Sequence, residues 1–195
     1  MRITTATKIT LVRMFMIPFV AMGILYHRYG TVLILFLISG LSDLFDGLIA
    51  RKYGQKSKLG ALLDPMADKL LLCTSFLLLT VPSSGLSVPI PIWLAIVVFG
   101  RDIIIVISAV AITMTTGFNK FDPTIYGKAS TLVQIMCVLG VLLINLFMLP
   151  PVWIEWLFWL TLVLTPFSGA HYIYTFTKRY EMEALTESQK QQEPK

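Results

Sequence analysis

Apolar residues come in six long runs, and the polar positions fall mostly between them. The runs read as helices at about 9–26, 31–52, 60–81, 128–149 and 152–177, with a further one opened by Pro89 and Pro91 and reaching about 115. Each is close to the roughly 20 residues that cross a bilayer core. The punctuation agrees. His27, Arg28, Tyr29 and Gly30 form a tight turn, Pro82-Ser83-Ser84-Gly85 cannot continue a helix, 117–127 is a loop, and Pro150-Pro151 stops the fifth run. A membrane β-barrel would alternate apolar and polar positions in segments of about ten residues, whereas these runs are apolar on every side. The expected fold class is all-α: a polytopic membrane protein of six transmembrane helices. Residues 1–180 are expected to form one membrane domain. Residues 181–195, rich in Glu, Gln and Lys, are expected to be a polar, disordered tail.

Composition strengthens this reading. Of 195 residues, 56% are hydrophobic and 14% charged, against about 25% charged in soluble domains. A soluble α/β enzyme and a disordered chain are both excluded. The first run lacks a small-residue cleavage site leading into a polar chain, so it is expected to be a span rather than a signal peptide. Cys73 and Cys137 both lie in apolar runs without metal-type spacing, and are expected to be small buried hydrophobes.

The charges are placed unevenly. Arg2, Lys8, Arg51, Lys52, Lys56, Lys58, Lys120, Lys128, Lys178, Arg179, Lys190 and Lys195 fall on one side of the six-span plan, and only Arg28 falls in the opposite loops. Basic residues in short loops stay in the cytoplasm, so both termini are expected there. The formal net charge of +5 is thus concentrated on one face, suited to anionic lipids and anionic substrates. No aromatic-basic interleaving suggests nucleic acid.

Four acids interrupt the apolar pattern. Asp43 and Asp46 lie near the end of the second helix, and Asp64 and Asp68 near the start of the third. Spacings of three and four put each pair on one helix face, and a short loop brings the two helix ends together. Ionisable groups at membrane depth are costly and functional by default. Clustered carboxylates repel unless a cation holds them ionised. With no His or Cys nearby, Mg²⁺ or Mn²⁺ suits them better than Zn²⁺. Gly47 and Ala50 are small enough to let a ligand or a helix approach the backbone, and Arg51 is placed to meet a phosphate.

The string Asp43-x-x-Asp46-Gly47-x-x-Ala50-Arg51, eight residues, then Gly60-x-x-x-Asp64-x-x-x-Asp68 resembles the signature of the CDP-alcohol phosphatidyltransferase family at every fixed position. The six-helix plan extends the resemblance over nearly the whole chain. The resemblance implies transfer of a phosphatidyl group from a CDP-linked lipid to an alcohol with release of CMP, by a homodimer with a di-metal site at the cytoplasmic interface. It implies that Asp43, Asp46, Asp64 and Asp68 ligate two Mg²⁺ or Mn²⁺ ions, with Asp68 also the general base. Gly47, Ala50, Arg51 and Gly60 would help hold the CDP moiety.

The acceptor is read from other segments. Thr7-Lys8-Ile9-Thr10-Leu11-Val12-Arg13 and Asp64-Pro65-Met66-Ala67-Asp68-Lys69 are similar to bacterial phosphatidylglycerophosphate synthases, although those more often show Pro-Asn in place of Ala6-Thr7. This places Thr10 and Arg13 at the CDP-lipid. Arg101, well inside the fourth helix, must face the bundle interior or a wet cavity. Arg101 and Lys128 together could hold the phosphate of sn-glycerol 3-phosphate. The expected partners are CDP-diacylglycerol, sn-glycerol 3-phosphate and the bilayer, and the expected location is the bacterial inner membrane. Arg101-Asp102, Asp122-Pro123-Thr124 and Gly127-Lys128-Ala129-Ser130-Thr131 with Gln134 also resemble eukaryote-type cardiolipin synthases, which makes phosphatidylglycerol the alternative acceptor. From another class, a divalent-cation channel or transporter also uses carboxylates, but these four sit near one interface rather than along a pore.

The remaining marked residues read as structural. His27 belongs to an interfacial turn and His171 to packing. Trp93, Trp153, Trp156 and Trp159 form an aromatic belt at the far interface.

Overall fold

The computed structural model describes residues 5–53, 58–81, 85–116 and 124–192, with side chains for a smaller set that leaves out 43–62, 64 and 65. All regular structure among the described residues is helical. The elements are α1 (Thr5–Leu25), α2 (Tyr29–Tyr53), α3 (Lys58–Leu78), α4 (Ile92–Thr116), α5 (Ile125–Phe147) and α6 (Val152–Gln192). The six expected helices are thus present. Three of them, over Ile92–Ala111, Ile125–Phe147 and Val152–Thr175, are long and apolar enough to cross a membrane, while Thr10–Leu25 and Tyr29–Ser42 are shorter apolar stretches.

Several boundaries differ from the sequence reading: α1 begins at Thr5 rather than about 9, α3 ends at Leu78 rather than about 81, and two others have a visible cause. The fifth helix starts about one turn early, because Thr124 takes an extended conformation and its side-chain oxygen accepts from the Gly127 N–H at 3.1 Å, which makes it the N-cap. The sixth helix does not stop near residue 177. Its backbone is helical to Gln192. Glu, Gln, Lys and Ala are all good helix formers, and a polar composition does not by itself end a helix.

The packing divides the bundle into two three-helix halves. In the first, α1 lies against both α2 and α3; in the second, α6 lies against both α4 and α5. Contacts of α2 and α3 with α5 join the halves, and α3 touches α4 only sparingly. Small residues set the closest approaches, as expected where helices pack without a hydrophobic drive between them. A Cβ at Gly23 would sit 2.6 Å from Val32 Cγ2, and one at Gly140 2.6 Å from Ile154 Cδ1. The buried core runs along these seams through Val20, Ile24, Phe76, Leu94, Val138 and Leu142. The face of α4 carrying Ile103, Ile104, Val106, Ile107 and Val110 is exposed.

The end of the bundle at the α1–α2 turn is closed by Asn145 of α5. Its Oδ1 accepts from the backbone N–H groups of Ser87 (2.7 Å) and Val88 (3.2 Å), while its amide donates to Val88 O (3.1 Å) and Val141 O (2.8 Å). Asn145 thereby fastens the α3–α4 loop to α5. Stranding a partly buried donor costs roughly 1–3 kcal/mol, so Asn145→Ala is expected to lower the apparent melting temperature in detergent. Asn145→Asp, which keeps the acceptor, is expected to fall between; a melting temperature unchanged in both variants would contradict this role.

At the same end, Trp93, Trp153, Trp156 and Trp159 are exposed at the starts of α4 and α6, and the Trp93 and Trp159 ring centroids are 5.8 Å apart. Both cysteines are free. Cys137 is buried against Thr161 and Cys73 is half-buried.

Candidate active site

The site lies at the other end, where α2 passes to α3. The backbones of Asp43, Asp46, Gly47, Ala50 and Arg51 are in α2, and those of Gly60, Asp64 and Asp68 are in α3. The side chains of the first seven of these lie outside the described residues, so their convergence on a metal remains an expectation from spacing. Among the described residues no three acids, histidines or cysteines gather.

Asp68 is described, and its surroundings are informative. Its Oδ1 forms an ion pair with Nη1 of Arg13 from α1. The two differ sharply in burial: the Arg13 side chain is 2% exposed and that of Asp68 44%. The guanidinium therefore sits behind the carboxylate, inside the α1–α3 seam, and the carboxylate faces outward from it. Thr10, one turn earlier on α1, is also buried. The sequence reading placed both α1 residues at the CDP-lipid; the structure gives Arg13 a protein partner across 55 residues of sequence.

Arg101 is the second anchor. Its side chain is 11% exposed, Nη1 donates to Asp102 Oδ1 at 2.9 Å, and Nη2 donates to Ser168 Oγ on α6. Asp102 also forms an ion pair with Lys69, the residue after Asp68. The Lys69 and Ser168 contacts were not visible in the sequence. Adjacent helical residues do not normally face each other, and Ser168 is one of many small polar residues on α6.

Lys128, paired with Arg101 in the sequence reading, is exposed in the first turn of α5. The structure brings its neighbour rather than its own side chain to Arg101: a Cβ at Gly127 would lie 3.5 Å from Arg101 Nη2. His171 packs beside Tyr126, with ring centroids 4.5 Å apart, in keeping with a packing role.

Between α2, α3 and α5 lies a cavity of about 650 Å³. Asp68, Lys69 and Thr131 line one end of it, and Phe36, Leu72 and Leu139 lie further along the same helices. The volume is that of a small-molecule site, and its walls are mostly apolar. A charged mouth on an apolar channel suits a ligand that is itself part ionic and part hydrocarbon.

The sequence profile of the CDP-alcohol phosphatidyltransferase family matches residues 3–167. The chain belongs to this family. Among curated CDP-alcohol phosphatidyltransferase relatives, it is 33% identical over 141 residues to the CDP-diacylglycerol–glycerol-3-phosphate 3-phosphatidyltransferase of Aquifex aeolicus, covering 71% of this chain and 75% of that protein. It is 31% identical over 183 residues to the Escherichia coli K12 protein of the same name, covering 89% of this chain and 94% of that protein. It is 30% identical over 151 residues to the CMP-forming cardiolipin synthase of Rattus norvegicus, covering 69% of this chain and 48% of that protein. Membership in a phosphatidyltransferase family makes the chain an enzyme and sets aside the ion-channel alternative.

Proposed function

We propose that this chain transfers the phosphatidyl group of CDP-diacylglycerol to sn-glycerol 3-phosphate, giving phosphatidylglycerophosphate and CMP. The observation that carries this reading is the match to the Escherichia coli enzyme of that name over nearly the full length of both chains. The cardiolipin synthase match spans about half of its relative. The buried Arg101 fits the same reading, because a desolvated guanidinium with further N–H groups to give is suited to a phosphate.

All six helices would span the bilayer, with both termini and the carboxylate end in the cytoplasm, in a bacterial inner membrane and as a homodimer. The basic residues on that side support the orientation. The exposed aliphatic face of α4 suits lipid or a second copy.

Asp43, Asp46, Asp64 and Asp68 would hold two Mg²⁺ or Mn²⁺ ions. The described member is in keeping with this: its carboxylate is half-exposed and lines one end of the cavity, and carboxylate oxygens are the ligands such ions take. The chemistry such ions supply when bound is neutralisation of charge on the pyrophosphate and on departing CMP.

The chain's own residues would do the rest. The apolar walls between α2 and α5 hold an acyl chain. Gly47, Ala50, Arg51 and Gly60, with Thr10 nearby, accommodate the CDP moiety. Arg101, with Lys128 at the rim, holds the acceptor phosphate. The acceptor hydroxyl attacks the lipid-bearing phosphorus, the bond to CMP breaks, and the hydroxyl proton passes to Asp68.

The test is CMP release by purified protein given CDP-diacylglycerol with sn-glycerol 3-phosphate or phosphatidylglycerol, with and without Mg²⁺ or Mn²⁺. Metal-dependent release with sn-glycerol 3-phosphate, abolished by a chelator and restored by added metal, is the expected result. Release with phosphatidylglycerol alone would reassign the acceptor, and no release with either would overturn the reading.

A further inference from the structure

The charged groups beyond Asp68 form a strap across the two halves of the bundle. From α3, the Lys69 ammonium reaches Asp102 Oδ2 on α4; Asp102 Oδ1 accepts from Arg101; and Arg101 reaches Ser168 on α6. Asp102 is 12% exposed and Lys69 39%, so the strap runs from the cavity rim inward. It ties α3 to α4 where those helices otherwise touch sparingly. It also gives Lys69 a partner on another helix, which keeps that ammonium off the motif carboxylate next to it in sequence.

Arg101 is held from three sides. Besides its bonds to α4 and α6, a Cβ at Gly169 would come within 3.2 Å of its Cγ, so α6 closes on the stem, while Gly127 of α5 lies by Nη2. Its Nε has no hydrogen-bond partner among the described residues. A guanidinium so fixed, largely desolvated and with donor capacity left, is prepared for an anion. Among the described residues of the strap, two cations meet one carboxylate. That single excess charge leaves a doubly charged phosphate monoester something to bind without forcing Asp102 to leave.

We propose that Asp102 is the positioning residue of the acceptor site. It holds Lys69 and Arg101 on its two oxygens as a cation pair in register with Asp68, so that a phosphate monoester lying on that pair presents its hydroxyl to Asp68. This rests on the transferase reading above. Without the Asp102 charge, Lys69 turns to the nearest remaining carboxylates and Arg101 loses its α3 reference. The acceptor then binds more weakly, while the CDP-lipid, which is held elsewhere, does not.

The experiment compares the full-length protein with Asp102→Asn and Asp102→Glu in two readouts: steady-state CMP release, and calorimetric binding of sn-glycerol 3-phosphate. Asp102→Asn is expected to raise the KM for sn-glycerol 3-phosphate and weaken its binding by about tenfold, with the KM for CDP-diacylglycerol changed less than about twofold. Asp102→Glu, which keeps the charge, is expected to recover most of the loss. If Asp102→Asn does not fold, Lys69→Gln at the more exposed end carries the same test with the same expected split. An unchanged acceptor KM, or an equal rise in both KM values, overturns the proposal while leaving the transferase reading in place. If the unsubstituted protein uses phosphatidylglycerol instead, the acceptor assignment fails separately, and the KM for that phosphate-bearing acceptor decides the role of Asp102. Failure of the unsubstituted protein to bind or use either acceptor overturns both.

Discussion

Asp68→Asn lowers CMP release by about two to four orders of magnitude, the usual contribution of a positioned general base, and leaves binding of CDP-diacylglycerol detectable. The substitution is nearly isosteric, and the Asn carbonyl can still accept from Arg13, so the α1–α3 seam keeps its shape. What is lost is the negative charge and the ability to take a proton. Because the Arg13 guanidinium left without its counter-ion is buried, some loss of stability is expected beside the loss of turnover, and retained CDP-diacylglycerol binding reports that the variant is folded. The check is a turnover assay paired with retention of CDP-diacylglycerol on the purified variant. Turnover within a few-fold of the unsubstituted protein would remove Asp68 as the base.

Arg13→Met is expected to act through the same carboxylate. Met fills the buried volume of the Arg stem without charge. It removes the ion pair behind Asp68 and with it one restraint on that side chain. Displacing a reacting group by about 1 Å can cost about 10²-fold in rate, and a loss of that size in kcat is expected, with little change in the KM for CDP-diacylglycerol. The decisive comparison is the double variant Arg13→Met/Asp68→Asn. If Arg13 works by holding Asp68, the double variant is no slower than Asp68→Asn alone, which is the non-additivity of residues that share one interaction. Additive losses, or a raised KM for CDP-diacylglycerol, would instead return Arg13 to direct contact with the nucleotide lipid.

The helices were legible in the sequence because lipid makes the pattern coarse: twenty apolar residues bounded by Gly, Pro and charge leave little choice. The boundaries at the α5 start and the α6 end have local causes. Thr124 as an N-cap was hidden in a stretch of Asp, Pro and Thr that reads equally well as loop, and the run after Thr177 was judged by polarity although its residues favour helix. The carboxylate motif was legible because its members are close in sequence and their spacing fixes their face. The partners of those carboxylates were not. Arg13 meets Asp68, Lys69 meets Asp102, and Asn145 meets the 87–88 backbone only through the docking of distant helices. Nothing in the spacing of such residues marks them as pairs. Asp102 follows Arg101 in sequence, but its second cation, Lys69, is supplied by tertiary packing.

The division into two three-helix halves bears on how the protein is made. Domains and subdomains form N-terminus first as the chain is synthesised, so α1, α2 and α3 can assemble, with Arg13 already on Asp68, before α4 leaves the ribosome. At that stage the half holds all four motif acids but neither Arg101 nor Asp102, and Lys69 has yet to meet its partner. α4 then brings Arg101 and Asp102, and α6 adds Ser168 to Arg101. A product ending before α4 would therefore carry the carboxylates and Lys69 without Arg101 or Asp102, and a nascent chain would acquire the complete site only when its last helix has docked.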